Sequence, residues 1–366
     1  MKTFFSLFLV LVFLLAGCSS PEPQPENKQF DIFFNRPLKA VKAEDIFSNY
    51  HYLPLETNDS SLLGNIQRIV YKNDRYFIDN RSQISIFNDE GIFVRTINKL
   101  GIGPYEYRPY WSMNVNEGGN VSLLNLNPVK LTNYTSSGDF LSRVKLDSLS
   151  VRDLIYLNDS LLLLRGDHRS EGYKFHVLNV ESGQIDTCFY PMKRKIYVSF
   201  LRDCMTTCDD KVLVCEYNSN EIIEVSKDSA SVRYIFNIND KMPPKGYFEE
   251  EYAGIIDYAQ KGYIGDIMCY AESDKYILLR FGGKKEATQA FALINKENRK
   301  YVVFDEIILA DGITVKPEFF HSIGEGKLIF EIDPTTILES GNVKFKSNFP
   351  DLVEDSNPLL LIVNLD

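Results

Sequence analysis

Cys18 is the residue whose setting points most directly to chemistry. It follows Leu15-Ala16-Gly17 at the end of an almost unbroken apolar run, Phe4 to Leu15, behind the positive charge of Lys2. Charge, apolar run, small residues and cysteine in that order form a secretory signal of the lipoprotein type: the bond before Cys18 is cut and its thiol carries lipid. A membrane-spanning helix needs roughly 20 apolar residues, and this run stops short. Removing Cys18 leaves Cys188, Cys204, Cys208, Cys215 and Cys269, an odd number that cannot all pair within one chain. Cys204, Cys208 and Cys215 are clustered, but no second cysteine pair or nearby histidine completes a zinc set. The spacing reads instead as a hairpin turning at Asp209-Asp210. Cys204 and Cys215 would then lie on facing strands, either bridged in an oxidising compartment or as buried free thiols.

Two further segments concentrate groups that could bind a ligand. Gly101 to Trp111 carries Tyr105, Glu106, Tyr107, Arg108, Tyr110 and the only Trp of the chain. The stretch from about Asn239 to Gly265 carries Tyr247 and Tyr252. In it Tyr252, Ile255, Ile256 and Ala259 fall on one face of a short helix, with Glu249 to Glu251 in its first turn. Aromatic faces stack on apolar ligand surface while adjacent Glu and Arg orient it, which suits a glycan or a peptide. The same residues also suit a structural role, with Glu106 bonded to backbone and Tyr107 packed in the interior. Elsewhere the chemistry is thin. His51, His168, His176 and His321 are scattered; His168 falls in the loop Gly166-Asp167-His168-Arg169. There is no Gly-x-Ser-x-Gly elbow and no His-Glu-x-x-His pair, and Gly101-x-Gly103 lacks the helix and third glycine of a nucleotide site. No cofactor and no metal set can be assembled, and no catalytic residue is expected.

These residues must be positioned by sheet. Residues Ser19 to about Gln29 alternate proline with polar residues and read as a solvated tether. From about Tyr50, short runs of Ile, Val, Tyr, Phe and Leu alternate with Asn, Asp, Gly and Ser. The first four, around Ile66–Tyr71, Arg75–Asp79, Gln83–Phe87 and Ile92–Ile97, make a meander. The unit recurs from about Ser112, Val151, Tyr197, Asp266 and Phe319. A period of about 40–50 residues with four strands per unit is the mark of a β-propeller. His51–Leu55 and Leu359–Val363 belong to no complete unit, so pairing them within one blade would close the ring and remove free edges. The expected class is all-β: a six-bladed β-propeller of four-stranded antiparallel blades, closed by N- and C-terminal strands, with one short helical insertion between blades 4 and 5. The expected division is a signal peptide over 1–17, lipidated Cys and tether over 18–45, and the propeller over 46–366.

Composition sets limits. Apolar residues are 44%, charged residues 25% and net charge −10, with both signs mixed along the chain. That argues against a nucleic-acid groove, which needs a concentrated basic stripe. It leaves the lipid on Cys18 as the membrane contact.

Tyr52-Leu53-Pro54-Leu55-Glu56-Thr57, Gly101-Ile102-Gly103-Pro104-Tyr105-Glu106-Tyr107 and Asn357-Pro358-Leu359-Leu360, with the cysteine signal, carry a resemblance over essentially the whole mature chain. The sequence resembles the six-bladed, NHL/TolB-like propeller lipoproteins of gut commensal bacteria, although Tyr105 stands where that family more often has glycine. The resemblance implies a propeller in the cell envelope, on the outer membrane and facing the periplasm or the surface, and brings no catalytic residues. The functional expectation is a non-enzymatic binding module for a glycan, a peptide or an envelope protein, seated on Tyr105, Glu106, Tyr107, Arg108, Trp111, Tyr247 and Tyr252. The alternatives are a hydrolase or lyase acting on a polymer at the channel, and a structural subunit of an envelope complex.

Overall fold

A computed structural model of the chain describes residues 29–34, 38–168, 170–192, 204–216, 219–238, 242–244, 247, 261–264, 266–282, 290–318 and 320–365. The first elements are β1 (Gln29–Ile32), β2 (Lys39–Lys42), a one-turn helix α1 (Ala43–Ile46) and β3 (Asn49–Pro54). Blade 1 follows as β4 (Arg68–Lys72), β5 (Arg75–Asp79), β6 (Ile84–Asn88) and β7 (Phe93–Ile97), and blade 2 as β8 (Ser112–Val115), β9 (Val121–Leu126), β10 (Val129–Tyr134) and β11 (Phe140–Lys145). Blade 3 is β12 (Val151–Tyr156), β13 (Leu161–Gly166), β14 (Tyr173–Asn179) and β15 (Ile185–Pro191). Blade 4 is β16 (Met205–Cys208), β17 (Lys211–Cys215), β18 (Glu221–Val225) and β19 (Ala230–Ile238). Blade 5 is β20 (Asp266–Glu272), β21 (Tyr276–Gly282), β22 (Ala290–Asn295) and β23 (Tyr301–Ile308), with the two-residue β24 (Thr314–Val315) against β23. Blade 6 combines β25 (His321–Gly324), β26 (Lys327–Ile332) and β27 (Leu359–Asn364) with β3 as its outer strand.

Ring closure follows the sequence expectation. β3 pairs antiparallel with β27, Pro54 opposite Leu359 and Tyr50 opposite Val363. The middle strands are covered on both faces by neighbouring blades, so they read as continuous apolar runs rather than as alternation. Leu161–Gly166 is buried at every position, as is Leu359–Val363. Apolar clusters fill the gaps between blades: Phe77, Ile84, Met113 and Leu123 between blades 1 and 2, for example, and Phe291, Phe304, Phe330 and Leu361 between blades 5 and 6. Blade 1 also closes tightly on blade 6. A Cβ at Gly91, whose φ is +79°, would lie 2.2 Å from the Pro54 carbonyl oxygen.

The structure departs from the sequence reading at the N-terminal boundary. Residues 29–32 and 39–42, placed in the tether of 18–45, are strands that extend the outer edges of two blades. β1 runs parallel to β19, Gln29 opposite Ile235, and β2 parallel to β23, Lys39 opposite Phe304. The cause is the alternation in Gln29-Phe30-Asp31-Ile32, which buries Phe30 and Ile32 and leaves Gln29 and Asp31 exposed. Both strands cover edges that would otherwise be unpaired. A second departure is a helical excursion within blade 6, between β26 and β27. It holds α2 (Pro334–Glu339) and α3 (Val343–Asn348). Asp333 caps α2 by accepting from the Thr335 N–H at 2.8 Å, with Pro334 in the first turn. The helix expected over Tyr252–Ala259 lies outside the described residues. None of the described helices is long and apolar enough to cross a membrane.

Candidate functional site

A propeller of this topology has two unlike ends. Hairpins between first and second strands open at one, here the hairpin end. The connections from each outer strand to the next inner strand open at the other, the loop end, together with those between second and third strands. Arg68, Ser112, Asp153 and Cys204 all stand at or near the loop-end starts of inner strands, and they meet around the axis. Arg68 donates to Asp153 at 3.0 Å, to the Ser112 hydroxyl at 2.9 Å and to the Met113 carbonyl at 2.8 Å. Ser112 also donates to Asp153. The Cys204 thiol donates to the second oxygen of Asp153 at 3.2 Å. Fully buried Arg165 contacts that thiol and donates to the Cys215 carbonyl at 2.8 Å. Burial, reinforced by Asp153 and Cys215, holds the Cys204 thiol well above its usual value despite Arg165. It is therefore protonated and a poor nucleophile. Cys188, Cys204, Cys208, Cys215 and Cys269 are all free thiols, so Cys204 and Cys215 face each other unbridged. The layer ties four blades together across the axis.

A cavity of about 230 Å³ occupies the channel, lined from Arg68 and Cys204 at one extreme to Lys72, Asp209 and Glu325 at the other. Thr206 and Ser322 hydrogen-bond at 2.7 Å, joining the inner strands of blades 4 and 6 across the lumen. Among the described residues, no group of three or more His, Cys, Asp or Glu is arranged to hold a metal ion.

The loop from Gly101 to Trp111 divides its residues between two tasks. Glu106 folds back to accept from the Gly103 N–H at 2.7 Å, and Arg143 donates to the Glu106 carbonyl. Tyr107 is fully buried; its hydroxyl donates to the Ser82 carbonyl at 2.8 Å and its ring meets Tyr110 edge-on at 5.5 Å. Tyr110 is buried as well and donates to Asp79 at 2.6 Å. The Tyr107 ring, expected at the site, is thus core: it had to satisfy its hydroxyl against backbone once the loop was folded over blade 1. Tyr105 is 64% exposed, but its ring lies against Phe140 on the outer strand β11. Arg108 is exposed, and its carbonyl accepts from Asn125. Tyr247 packs edge-on against Tyr263 at 5.5 Å, with Lys261 over its ring. Tyr252 lies outside the described residues, as does Cys18.

Trp111 is the residue that this scaffold presents. It is 49% exposed, immediately before the inner strand β8 and three strand spacings, about 14 Å, inside β11. Two buried tyrosines fix the chain just ahead of it. Two guanidinium groups lie over its ring: Arg81 of blade 1 at 5.5 Å from the centroid and Arg152 of blade 3 at 5.2 Å. Each such contact stabilises by about 0.5–1 kcal/mol at an exposed site. Both arginines owe their direction to local backbone. Arg81 sits in the β5–β6 turn at φ +67°, with its N–H held by the Asp79 carboxylate at 2.5 Å. Arg152 is the extra residue of a β-bulge between Val151 and Asp153, a device that re-aims a side chain. Its Nε donates to Asp167 at 2.7 Å. His168 lies 3.6 Å from the same carboxylate. Burial, aided by Arg152 and Arg165, pushes its pKa down to about 4, so the ring is neutral at pH 7. Alongside, Lys174 pairs with Glu216.

Sequence reasoning found Trp111 but missed Arg81 and Arg152. A bulge and a left-handed turn residue leave no composition signal, and the two arginines are far from Trp111 in sequence. In the loop that begins at Gly166, Asp167 is the anchor of Arg152.

Comparisons with known proteins agree with this architecture. No curated protein matches. A Bacteroides fragilis protein described as exported has a solved structure that superposes with a TM-score of 0.75 at 20% identity, over 92% of this chain and 99% of that one. A member of the DUF4221 family from Bacteroides vulgatus superposes at 0.56 with 12% identity, over 87% and 96%. At these identities the likeness concerns the fold. A family described as a domain of unknown function, DUF4934, matches residues 29–364, beginning at β1 and ending with β27. The chain belongs to the DUF4934 family, as a six-bladed β-propeller with a half-exposed tryptophan and two arginines over its ring at the loop end.

Proposed function

We propose that this propeller is a non-catalytic binding module of the bacterial envelope, lipid-anchored through Cys18, that takes its ligand on the Trp111 seat. The observation that carries the reading is the half-exposed indole with Arg81 and Arg152 over its ring, held by a tyrosine-anchored loop. Preorganised aromatic and guanidinium groups are what binding surfaces concentrate, because they add contact area and directed hydrogen bonds at small entropic cost. Export of the chain is supported by its signal-like N-terminus and by the description of the Bacteroides fragilis relative. Among glycan, peptide and envelope-protein ligands, a glycan suits this seat best, as argued below.

The test is retention on immobilised envelope and dietary glycans, comparing the wild-type chain with Trp111→Ala. Loss of about tenfold or more in affinity is expected for a hot-spot aromatic. A ligand held with undiminished affinity by Trp111→Ala would place binding elsewhere. In membrane fractionation, Cys18→Ala is expected to release the protein into the soluble fraction; continued membrane association would overturn the lipid anchor.

A further inference from the structure

We propose that the Trp111 seat selects an acidic glycan, a pyranose chain bearing carboxylate or sulfate groups. This deepens the binding reading above and rests on it. The two guanidinium carbons lie 5.5 and 5.2 Å from one ring centroid, so they are within about 11 Å of each other. Two positive charges gathered on one exposed side chain repel, and the indole face and the Asp167 carboxylate on Arg152 offset only part of that repulsion. An anionic group between them would offset more. The donors are available for it. Arg81 is exposed and has no carboxylate partner among the described residues. Arg152 meets Asp167 through Nε, an arrangement that fixes the plane of the guanidinium and leaves the Nη pair outside that bond. Paired N–H groups on a planar fork match carboxylate and sulfate oxygens in a way that lysine does not.

The indole supplies what the arginines lack. The half-exposed indole offers apolar aromatic surface of the kind that meets the C–H face of a pyranose ring, and an anionic substituent on that ring would reach the guanidinium groups. An extended peptide would need a free strand edge on which to pair its backbone. The Trp111 N–H is not open to such pairing, since it already donates to the Leu124 carbonyl of β9 at 2.8 Å. The seat therefore reads side-chain chemistry, flat ring plus negative charge, and not peptide backbone.

The experiment is calorimetry on the detergent-solubilised full chain. The probes are oligogalacturonate, a sulfated galactan oligosaccharide, a neutral galactan oligosaccharide of matched length and an acidic peptide. The expected result is binding of one or both anionic sugars, weakened as salt is raised. Arg81→Ala and Arg152→Ala should each weaken it about fivefold to tenfold, and Trp111→Phe less than Trp111→Ala. The uronate and sulfate arms identify which anion is read. Because Arg81 is a surface side chain, Arg81→Ala is expected to keep the wild-type melting temperature, which separates lost binding from lost folding. Neutral galactan bound as tightly as the anionic chains, through Trp111 but indifferent to Arg81, would overturn the charge selectivity and leave the seat standing. Binding of the acidic peptide alone would overturn the glycan assignment. Binding untouched by Trp111→Ala would overturn the seat itself.

Discussion

The two ends of the propeller are made of different material. At the hairpin end, adjacent strands turn on a few residues with backbone in the left-handed region, as at Asn73-Asp74 (φ +52° and +54°) and Asp209-Asp210 (φ +49° and +58°). Asn, Asp and Gly are selected there by backbone conformation. The result is an exposed set of Asp74, Glu117, Asp159, Asp209, Asp210, Asp274 and Glu325 around that mouth, several of them there for turn geometry. At the loop end several connections are long, and what they present depends on contacts between blades. Trp111 comes from the loop into blade 2, Arg81 from a turn in blade 1, Arg152 from a bulge in blade 3. A ring of like residues can thus be a by-product of turns, whereas three unlike residues drawn from three blades require the assembled ring.

Each end also has a buried charged node, and the nodes differ. At the loop end Asp153 joins blades 1 to 4 through Arg68, Ser112 and Cys204. At the hairpin end Glu272 joins blades 4 and 5. Its carboxylate accepts from Arg233 at 2.9 and 3.0 Å, Lys296 at 2.9 Å, Tyr234 at 3.0 Å and Tyr270 at 2.5 Å. Burial alone would raise the Glu272 pKa, but the bonds from Arg233, Tyr270 and Lys296 outweigh it and hold the value below 4.5.

The largest effect is expected from removing this acid. Glu272→Ala leaves Arg233 without its bidentate partner and Lys296 without its contact, a loss of about 3–5 kcal/mol by urea unfolding. A loss below about 1 kcal/mol would show that the hairpin end does not depend on the node. Next comes Gly91→Ala. The added Cβ meets the Pro54 backbone oxygen at 2.2 Å in a left-handed conformation, so about 1–3 kcal/mol should be lost. Gly101→Ala is the control at the loop end. Its Cβ meets only the Glu106 carboxylate, at 2.0 Å, which can swing into solvent, so the cost should stay under about 1 kcal/mol. Equal costs at Gly91 and Gly101 would erase the distinction between a backbone-limited junction and a side-chain-limited loop.

Acid should separate the ends in pH. The folded state depresses the His168 pKa from 6.5 to about 4, so the unfolded chain takes up that proton first. This contribution is complete above pH 6.5 and is lost as pH falls towards 4, by up to about 3 kcal/mol. Glu272 behaves alike in sign but not in window, its contribution being lost only below about 4.5. His168→Asn should flatten the pH 4–6.5 limb of a stability profile, and an unchanged limb would assign it to another group. A modest effect is expected for Trp111→Ala, about 1–2 kcal/mol in unfolding, because the half-exposed ring contributes its two cation–π contacts and little to the core. A large loss would make Trp111 a structural residue and weaken its reading as a seat.

Much of this architecture was legible from local chemistry. The run Arg75–Asp79 is a strand with the bounds read from sequence, and the run Ile66–Tyr71 is β4, which starts two residues later and ends one residue later. Apolar stretches between turn-forming residues are local facts, and their recurrence determines blade count. The pairing of His51–Leu55 with Leu359–Val363 was legible because neither run has a partner nearby. β1 was not read as strand. Its four residues pair in parallel with β19, some two hundred positions away, and four alternating residues carry little signal by themselves.

The chain by itself determined that it would form six sheets, that its ends would meet, and that its lone tryptophan would sit between blades 1 and 2, because hydrophobic periodicity and turn chemistry act over a few residues. Only the tertiary structure decided that Tyr107 and Tyr110 would be buried while Trp111 stayed in solvent. It also decided that Arg81 and Arg152 would converge on that ring. Those outcomes depend on which side chains the neighbouring blades leave room for, and packing between elements distant in sequence has no local signature.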